Sequence, residues 1–172
     1  FTLSNYDAAN AFCCTTKDAL EKLHDKHVKF SDKCIAKQIR DGVCCYVDNG
    51  EDQICLKPRS GNFQGHTNAC SEFIDVYTPR IESWNDELNM NFESNKWLFT
   101  TDPISKQQTD ISVATFVDDV SKVSIHAFPP TLGKVREQLN TSTTLLSQQI
   151  STTGHAINQS KTNHVISIQG PG

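Results

Sequence analysis

The chain predicts an α+β fold, and three observations predict it. Apolar residues recur at helical spacing in three long stretches. Short runs of β-formers lie between those stretches. Two pairs of these runs are joined so closely that they must return as antiparallel hairpins. The order read from the sequence is β-α-β-β-α-β-β-α-β-β, with helices and hairpins mixed along one chain. At 172 residues the chain is long enough for one domain with its own core.

The first element is a strand. Phe1 to Tyr6 alternates, Phe1, Leu3 and Asn5 against Thr2, Ser4 and Tyr6, and ends at Asp7. From Thr16 to Arg40 the period becomes helical, with Leu20, Leu23, Phe30, Cys34, Ile35 and Ile39 forming a stripe expected to be buried. On another face run Lys22, Lys26, Lys29, Lys33, Lys37 and Arg40. Asp18, Glu21, Asp25 and Asp32 interleave at pairing distance, which reads as a solvated face rather than a phosphate track. Val43–Val47 and Gln53–Lys57 form a hairpin about Asp48, Asn49 and Gly50. A loop follows from Pro58 to Gly65. A helix is expected from about Thr67 to Trp84, with Phe73, Ile74, Tyr77 and Ile81 facing inward.

Residues 85–109 are polar, contain Pro103 and read as an exposed insertion or long connection. Ile111–Val117 and Val120–Ile125 are strands separated by adjacent acids, so the turn between them is built around carboxylates. Leu132–Ile150 is helical, with Leu132, Val135, Leu139, Leu145, Leu146 and Ile150 on one side and Gly154 as the C-terminal cap. His155–Asn158 and His164–Ile168 complete the set as short strands. No internal repeat divides the chain.

Sixteen basic and twenty acidic side chains leave a net charge of −4. The deficit lies in residues 1–90, and it argues against a free-standing nucleic-acid clamp. No run approaches the ~18 apolar residues of a membrane helix, and no basic region followed by an apolar stretch opens the chain as a signal peptide does. Phe1 already lies in a strand, so the segment is expected to come from a longer chain. The seven cysteines include two adjacent pairs and no C-x-x-C, which excludes a zinc knuckle. They read as free thiols in a reducing compartment, mostly buried as small apolar residues. The localisation expected is therefore intracellular, nuclear or cytoplasmic, and not secreted.

Chemistry concentrates at Asp118-Asp119. Adjacent carboxylates at a strand tip repel one another unless a cation lies nearby. Hard oxygen ligands suit Mg²⁺, which binds one or two carboxylates together with substrate phosphates. Asp7 ends another strand, and three acids on neighbouring strand ends would form a two-metal site for phosphoryl transfer. Taken alone, an Asp pair is ordinary turn chemistry.

Four stretches change that weighing. Tyr6-Asp7-Ala8-Ala9-Asn10-Ala11-Phe12 resembles motif A of reverse transcriptases, with an aromatic five residues after the metal aspartate. Arg59-Ser60-Gly61-Asn62-Phe63-Gln64-Gly65, then Phe73, resembles motif B with its Gln-Gly. Ala114-Thr115-Phe116-Val117-Asp118-Asp119 resembles motif C, and Gly154-His155-Ala156-Ile157-Asn158-Gln159-Ser160-Lys161-Thr162 resembles motif D. All four stand in family order and cover nearly the whole chain. The likeness is nearest to the palm of non-LTR retroelement polymerases.

The resemblance implies a polymerase palm of the right-hand fold, an antiparallel sheet with helices on one face, spanning 1–172 with fingers and thumb largely missing. It implies RNA-directed DNA polymerase activity by two-metal nucleotidyl transfer, adding dNTPs to a primer 3′-hydroxyl on an RNA template. The metals would be two Mg²⁺ ions, with Mn²⁺ as an alternative, on Asp7, Asp118 and Asp119. Phe12 would exclude a 2′-hydroxyl by volume, Gln64 and Gly65 would meet the nucleotide or template, the Ala8 carbonyl would complete a metal shell, and Lys161 would face the triphosphate and protonate pyrophosphate. The segment alone is expected to be inactive or feeble. The alternative reading is a non-catalytic retroelement relic or domesticated palm that binds RNA or protein. The histidines show no metal spacing such as H-E-x-x-H and read as bystanders.

Overall fold

The alternation that opens the sequence becomes the central strand of the sheet. The computed structural model describes residues 1–48, 50, 52–61, 68–92, 98–126 and 131–167. Strand β1 runs Thr2–Ala9, with Thr2, Ser4, Tyr6 and Ala8 buried and Leu3, Asn5, Asp7 and Ala9 half-buried on the opposite face. This is the period of two that a sheet covered on one side requires. Asn10, at φ 50°, turns the chain into the single-turn helix α1 (Ala11–Cys14).

Helix α2 (Lys17–His27) begins at Thr16, whose hydroxyl accepts from the Ala19 N–H at 3.3 Å. It stops at Val28, which is extended and donates its N–H to the His24 carbonyl. A 3₁₀ turn (Phe30–Asp32) and helix α3 (Lys33–Gly42) follow. The one helix expected over 16–40 is thus two, broken where β-branched Val28 and then Lys29 adopt extended backbone. The break also undoes the expected stripe. Leu20 is buried, but Phe30, Cys34, Ile35 and Ile39 are exposed. The hairpin of β2 (Cys45–Asp48) and β3 (Gln53–Leu56) forms as expected, apart from the main sheet.

Helix α4 runs Ala69–Asn91, beyond the expected end at Trp84. Ala69, Phe73, Val76, Tyr77, Ile81, Trp84 and Leu88 are buried at intervals of three and four. Ile74 falls off that stripe and is exposed. The helix continues through polar residues because Asn85 and Asn89 turn their amides onto Asp110, at 2.8 and 3.4 Å. Asp110 lies in the short hairpin of β4 (Phe99–Thr101) and β5 (Gln108–Asp110). Strands β6 (Val113–Phe116) and β7 (Asp119–Ser124) form the carboxylate-turn hairpin.

Helix α5 (Leu132–Ser151) is capped by the Thr131 hydroxyl and buries Val135, Leu139, Ser142, Leu146 and Ile150, while Leu132 is exposed. It ends in a Schellman motif: Gly154, at φ 91°, donates to the Ser151 carbonyl at 3.0 Å, and His155 donates to that of Ile150 at 3.1 Å. The last strands are β8 (Ala156–Ile157) and β9 (Asn163–Ile166).

The sheet is antiparallel, ordered β6-β7-β1-β8, with β9 pairing along the same edge of β1 as β8. Helices α4 and α5 cover one face. Tyr6, Ala8 and Val120 from the sheet meet Phe73, Tyr77, Ile81, Trp84 and Leu88 of α4 and Leu146 and Ile150 of α5. The polar ends of the large rings are satisfied inside. The Tyr6 hydroxyl pairs with Ser142 Oγ at 2.9 Å, and Trp84 Nε1 donates to the Ser142 carbonyl at 2.9 Å. The seven cysteines are free thiols, but none is buried, contrary to expectation; Cys13 is exposed and Cys14 half-buried. α1 is too short to turn both into the core. Among the described residues no helix is long and apolar enough to cross a membrane.

Candidate active site

Pairing of β1 with β7 sets the geometry. In that register Tyr6 lies opposite Val120 and Asp7 opposite Asp119. Tyr6 and Val120 point into the core, so Asp7 and Asp119 share the face that carries no helix. Phe116 and Asp119 close the β6–β7 hairpin, leaving Val117 and Asp118 as its two-residue turn. Two-residue hairpin turns call for positive φ, and Val117 sits at φ 57°. A β-branched residue there costs about 1–3 kcal/mol. Packing of Val117 against the core and a 3.3 Å bond from the Ala8 N–H to the Asp118 carbonyl hold the turn in place. The Asp7 side chain is only 14% exposed. Asp118 is half-buried and Asp119 exposed.

The segment after β8 comes back onto Asp7. The Asn158 N–H donates to the Asp7 carbonyl at 2.8 Å, and the Asn158 carbonyl accepts from the N–H groups of Lys161 and Thr162. This tight turn brings Lys161 Nζ to 3.3 Å from Asp7 Oδ1. The lysine side chain is 67% exposed, so the ion pair stabilises little. Asn5, Asp7, Asp119, Ser121, Lys161 and Asn163 line an open groove of about 440 Å³ on this face. A separate apolar cavity of about 320 Å³ between α2, α3 and α4 is lined by Leu20, Leu23, Ala36, Ile39 and Val43 and borders none of the three acids.

Phe12 is half-buried, its ring tilted on Phe73 with centroids 5.2 Å apart. Its carrier, α1, is gripped from two sides. The Gly61 N–H donates to the Thr15 carbonyl at 2.7 Å, and Gly61 and Gly154, both at positive φ, press against the backbone of Cys13 and Cys14. A side chain on either glycine would collide with that backbone. Ala8 faces the core with its side chain. Gln64 and Gly65 lie outside the described residues. The structure thus brings together Asp7, Asp118, Asp119 and Lys161, with Ala8 beside them and Phe12 on the following turn.

Two further residues belong to this neighbourhood. Tyr77 is buried under the strand ends, stacked on Phe73 at 4.9 Å. Burial pushes its phenol above the usual range, and the charges of Asp118, Asp7 and Asp119 add to that in this order. His155, read above as a bystander, is instead 2% exposed. It bonds to Ala11, Thr15 and Thr153. The alternation of the sequence leading into β8 carries the signal, since His155 stands two residues before the core-facing Ile157.

Among the described residues no group of three or more His, Cys, Asp or Glu side chains converges to hold a metal ion. The donor chemistry at the β1–β7 strand ends still suits a hard divalent cation. Two carboxylates from adjacent strands face each other with a third one residue away, and Mg²⁺ completes its shell with water and phosphate oxygens.

No family model and no curated protein matches the chain. Solved structures do. Apo telomerase from Candida tropicalis, truncated of its C-terminal domain, is similar at TM-score 0.65 and 14% identity over 99% of this chain. Telomerase from Candida tropicalis in complex with the TWJ fragment of telomeric RNA gives 0.58 and 15% over 95%. The corresponding complex from Candida albicans gives 0.57 and 16% over 99%. The chain spans 31%, 26% and 27% of those chains. At such identities the likeness is one of fold: an α+β, palm-like unit of the kind found in these telomerase chains.

Proposed function

We propose that this chain is the catalytic palm of an RNA-directed DNA polymerase of retroelement type, a nucleotidyltransferase that adds dNTPs to a primer 3′-hydroxyl on an RNA template. One observation carries the reading: Asp7 stands opposite Asp119 in the β1–β7 register, with Asp118 in the adjoining turn, on the open face of a reverse-transcriptase-like sheet. The RNA complexes of two similar telomerases support an RNA partner.

Asp7, Asp118 and Asp119 would hold two Mg²⁺ ions, or Mn²⁺, which supply charge neutralisation for the triphosphate. The chain's own residues do the rest by position. The strained turn at Val117 fixes Asp118 and Asp119 on the strand end. Phe12 occupies volume that a ribose 2′-hydroxyl would need. Lys161 leaves Asp7 for the triphosphate and delivers a proton to the departing pyrophosphate oxygen.

Primer extension on an RNA template by the full-length polypeptide, with and without Mg²⁺, tests the reading. Asp118→Ala is expected to lower extension by at least ~10³-fold; retained activity refutes it. A second reading, a palm that binds RNA or protein without catalysis, draws on the lack of a converged metal group among the described residues and on Lys161 already resting against Asp7. Extension that requires Mg²⁺ excludes this second reading.

A further inference from the structure

His155 Nε2 lies 3.0 Å from the Ala11 carbonyl oxygen and 3.2 Å from Thr15 Oγ1, and Nδ1 lies 2.8 Å from Thr153 Oγ1. A carbonyl only accepts, so Nε2 carries a proton, shared between the Ala11 carbonyl and Thr15 Oγ1, and in the neutral ring Nδ1 accepts from the Thr153 hydroxyl. That hydroxyl is also 2.8 Å from the Ile150 carbonyl and shares its one proton between the two. Phe73 and Tyr77 meet the imidazole edge to face, at 5.4 and 5.6 Å. Burial holds the ring below its usual pKa, in keeping with the neutral tautomer.

Ala11 and Thr15 bracket α1, the turn that bears Phe12. One helical turn has no stability of its own, so outside contacts must set its position. His155 supplies two of them from the far end of the chain, and its neighbour Phe73 is also the support of the Phe12 ring. An apolar side chain of similar volume would fill the same space and supply neither bond.

We propose that His155 is a positioning residue, which through Ala11 and Thr15 fixes the α1 turn that follows β1 and the Phe12 ring it carries, and so sets how strongly the site rejects ribonucleotides. The inference rests on the reading of Phe12 given above.

Single-nucleotide incorporation of dNTP and rNTP by the full-length polypeptide tests it, with thermal unfolding of each variant measured alongside. His155→Leu is expected to lower the dNTP over rNTP preference about tenfold while kcat for the dNTP stays within about threefold, and His155→Gln to recover most of the preference. Should the leucine variant fail to fold, Thr15→Val and Thr153→Val each remove one bond to the imidazole. Each is expected to lower the preference about two- to threefold in a folded protein. Phe12→Ala sets the floor, and adding His155→Leu to it produces no further loss. An unchanged preference in folded His155→Leu or in both threonine variants overturns the role of His155, as does further loss in the double variant. A Phe12→Ala protein that keeps the wild-type preference overturns the reading of Phe12, and a wild-type protein that incorporates no nucleotide overturns the polymerase reading. The inference falls with either.

Discussion

Lys122 enters the core on the same side of β7 as Val120, and it arrives charged. Its Nζ donates to Asn85 Oδ1 at 2.6 Å and to Ser112 Oγ at 3.2 Å, above the Trp84 ring at 5.6 Å. Burial pushes its pKa down to about 8 against the opposing pull of Asp110. The folded pKa lies below the unfolded one, so between about pH 8 and ~10.4 the unfolded chain binds more protons and stability rises with pH. Below pH 8 both states are protonated and the cost of the buried charge is fully present. Urea unfolding of wild type and Lys122→Met at pH 7.5 and 10.5 checks this: the difference should move toward wild type by about 3 kcal/mol. A difference independent of pH would show that the ammonium is not desolvated. The alternation of β7 placed Val120 and Lys122 on one side in sequence. It gave no sign that Asn85 and Asp110, from two other elements, would meet the lysine there. The three acids are similar: each was visible as a strand-end carboxylate and expected to meet the others, but the register that sets Asp7 opposite Asp119 was not visible.

Element ends are set by local rules where a cap governs them, and of these the Gly154 cap was read in advance. Thr16 and Thr131 cap α2 and α5, and Gly154 terminates α5, because capping depends only on residues a few positions apart. Gly154 does more than local rules require, since a methyl group there would collide with the Cys14 carbonyl oxygen. Gly154→Ala therefore combines a positive-φ penalty with a backbone collision, and is expected to cost at least ~2 kcal/mol in chemical denaturation, where a plain helix-capping glycine would cost about 1. The helix expected over 16–40 failed for the opposite reason. Its periodicity was real, but periodicity does not show that a partner exists to cover the stripe. α3 and the β2–β3 hairpin carry exposed Ile35, Ile39, Tyr46, Ile54 and Leu56. In α4 the polar residues beyond Trp84 resembled a loop because their partners, Asp110 and Lys122, lie in other elements.

For the molecule as a whole, the division into a covered and an open face decides where chemistry is possible. Helices α4 and α5 seal one side of the sheet, and Asp7, Asp119 and Lys161 line a groove on the other. The thiols follow the same logic of surface and shield. Cys13, Cys34, Cys55 and Cys70 are exposed, and Cys14, Cys44 and Cys45 are partly shielded. A thiol reagent should therefore modify four sites quickly in the native chain and all seven after unfolding without reductant; fewer than seven would indicate a disulfide. The α+β class, the β6–β7 hairpin around carboxylates, the Gly154 cap and most of the core stripes of α4 and α5 were legible beforehand, because these follow from spacing along a few turns of chain. That Asp7 faces Asp119, that Lys161 reaches Asp7 and that His155 bonds to the turn carrying Phe12 emerged from the folded arrangement alone. Those contacts join segments far apart in the chain, and the register of β1 against β7 and β9 that creates them is set by burial of one whole face of the sheet.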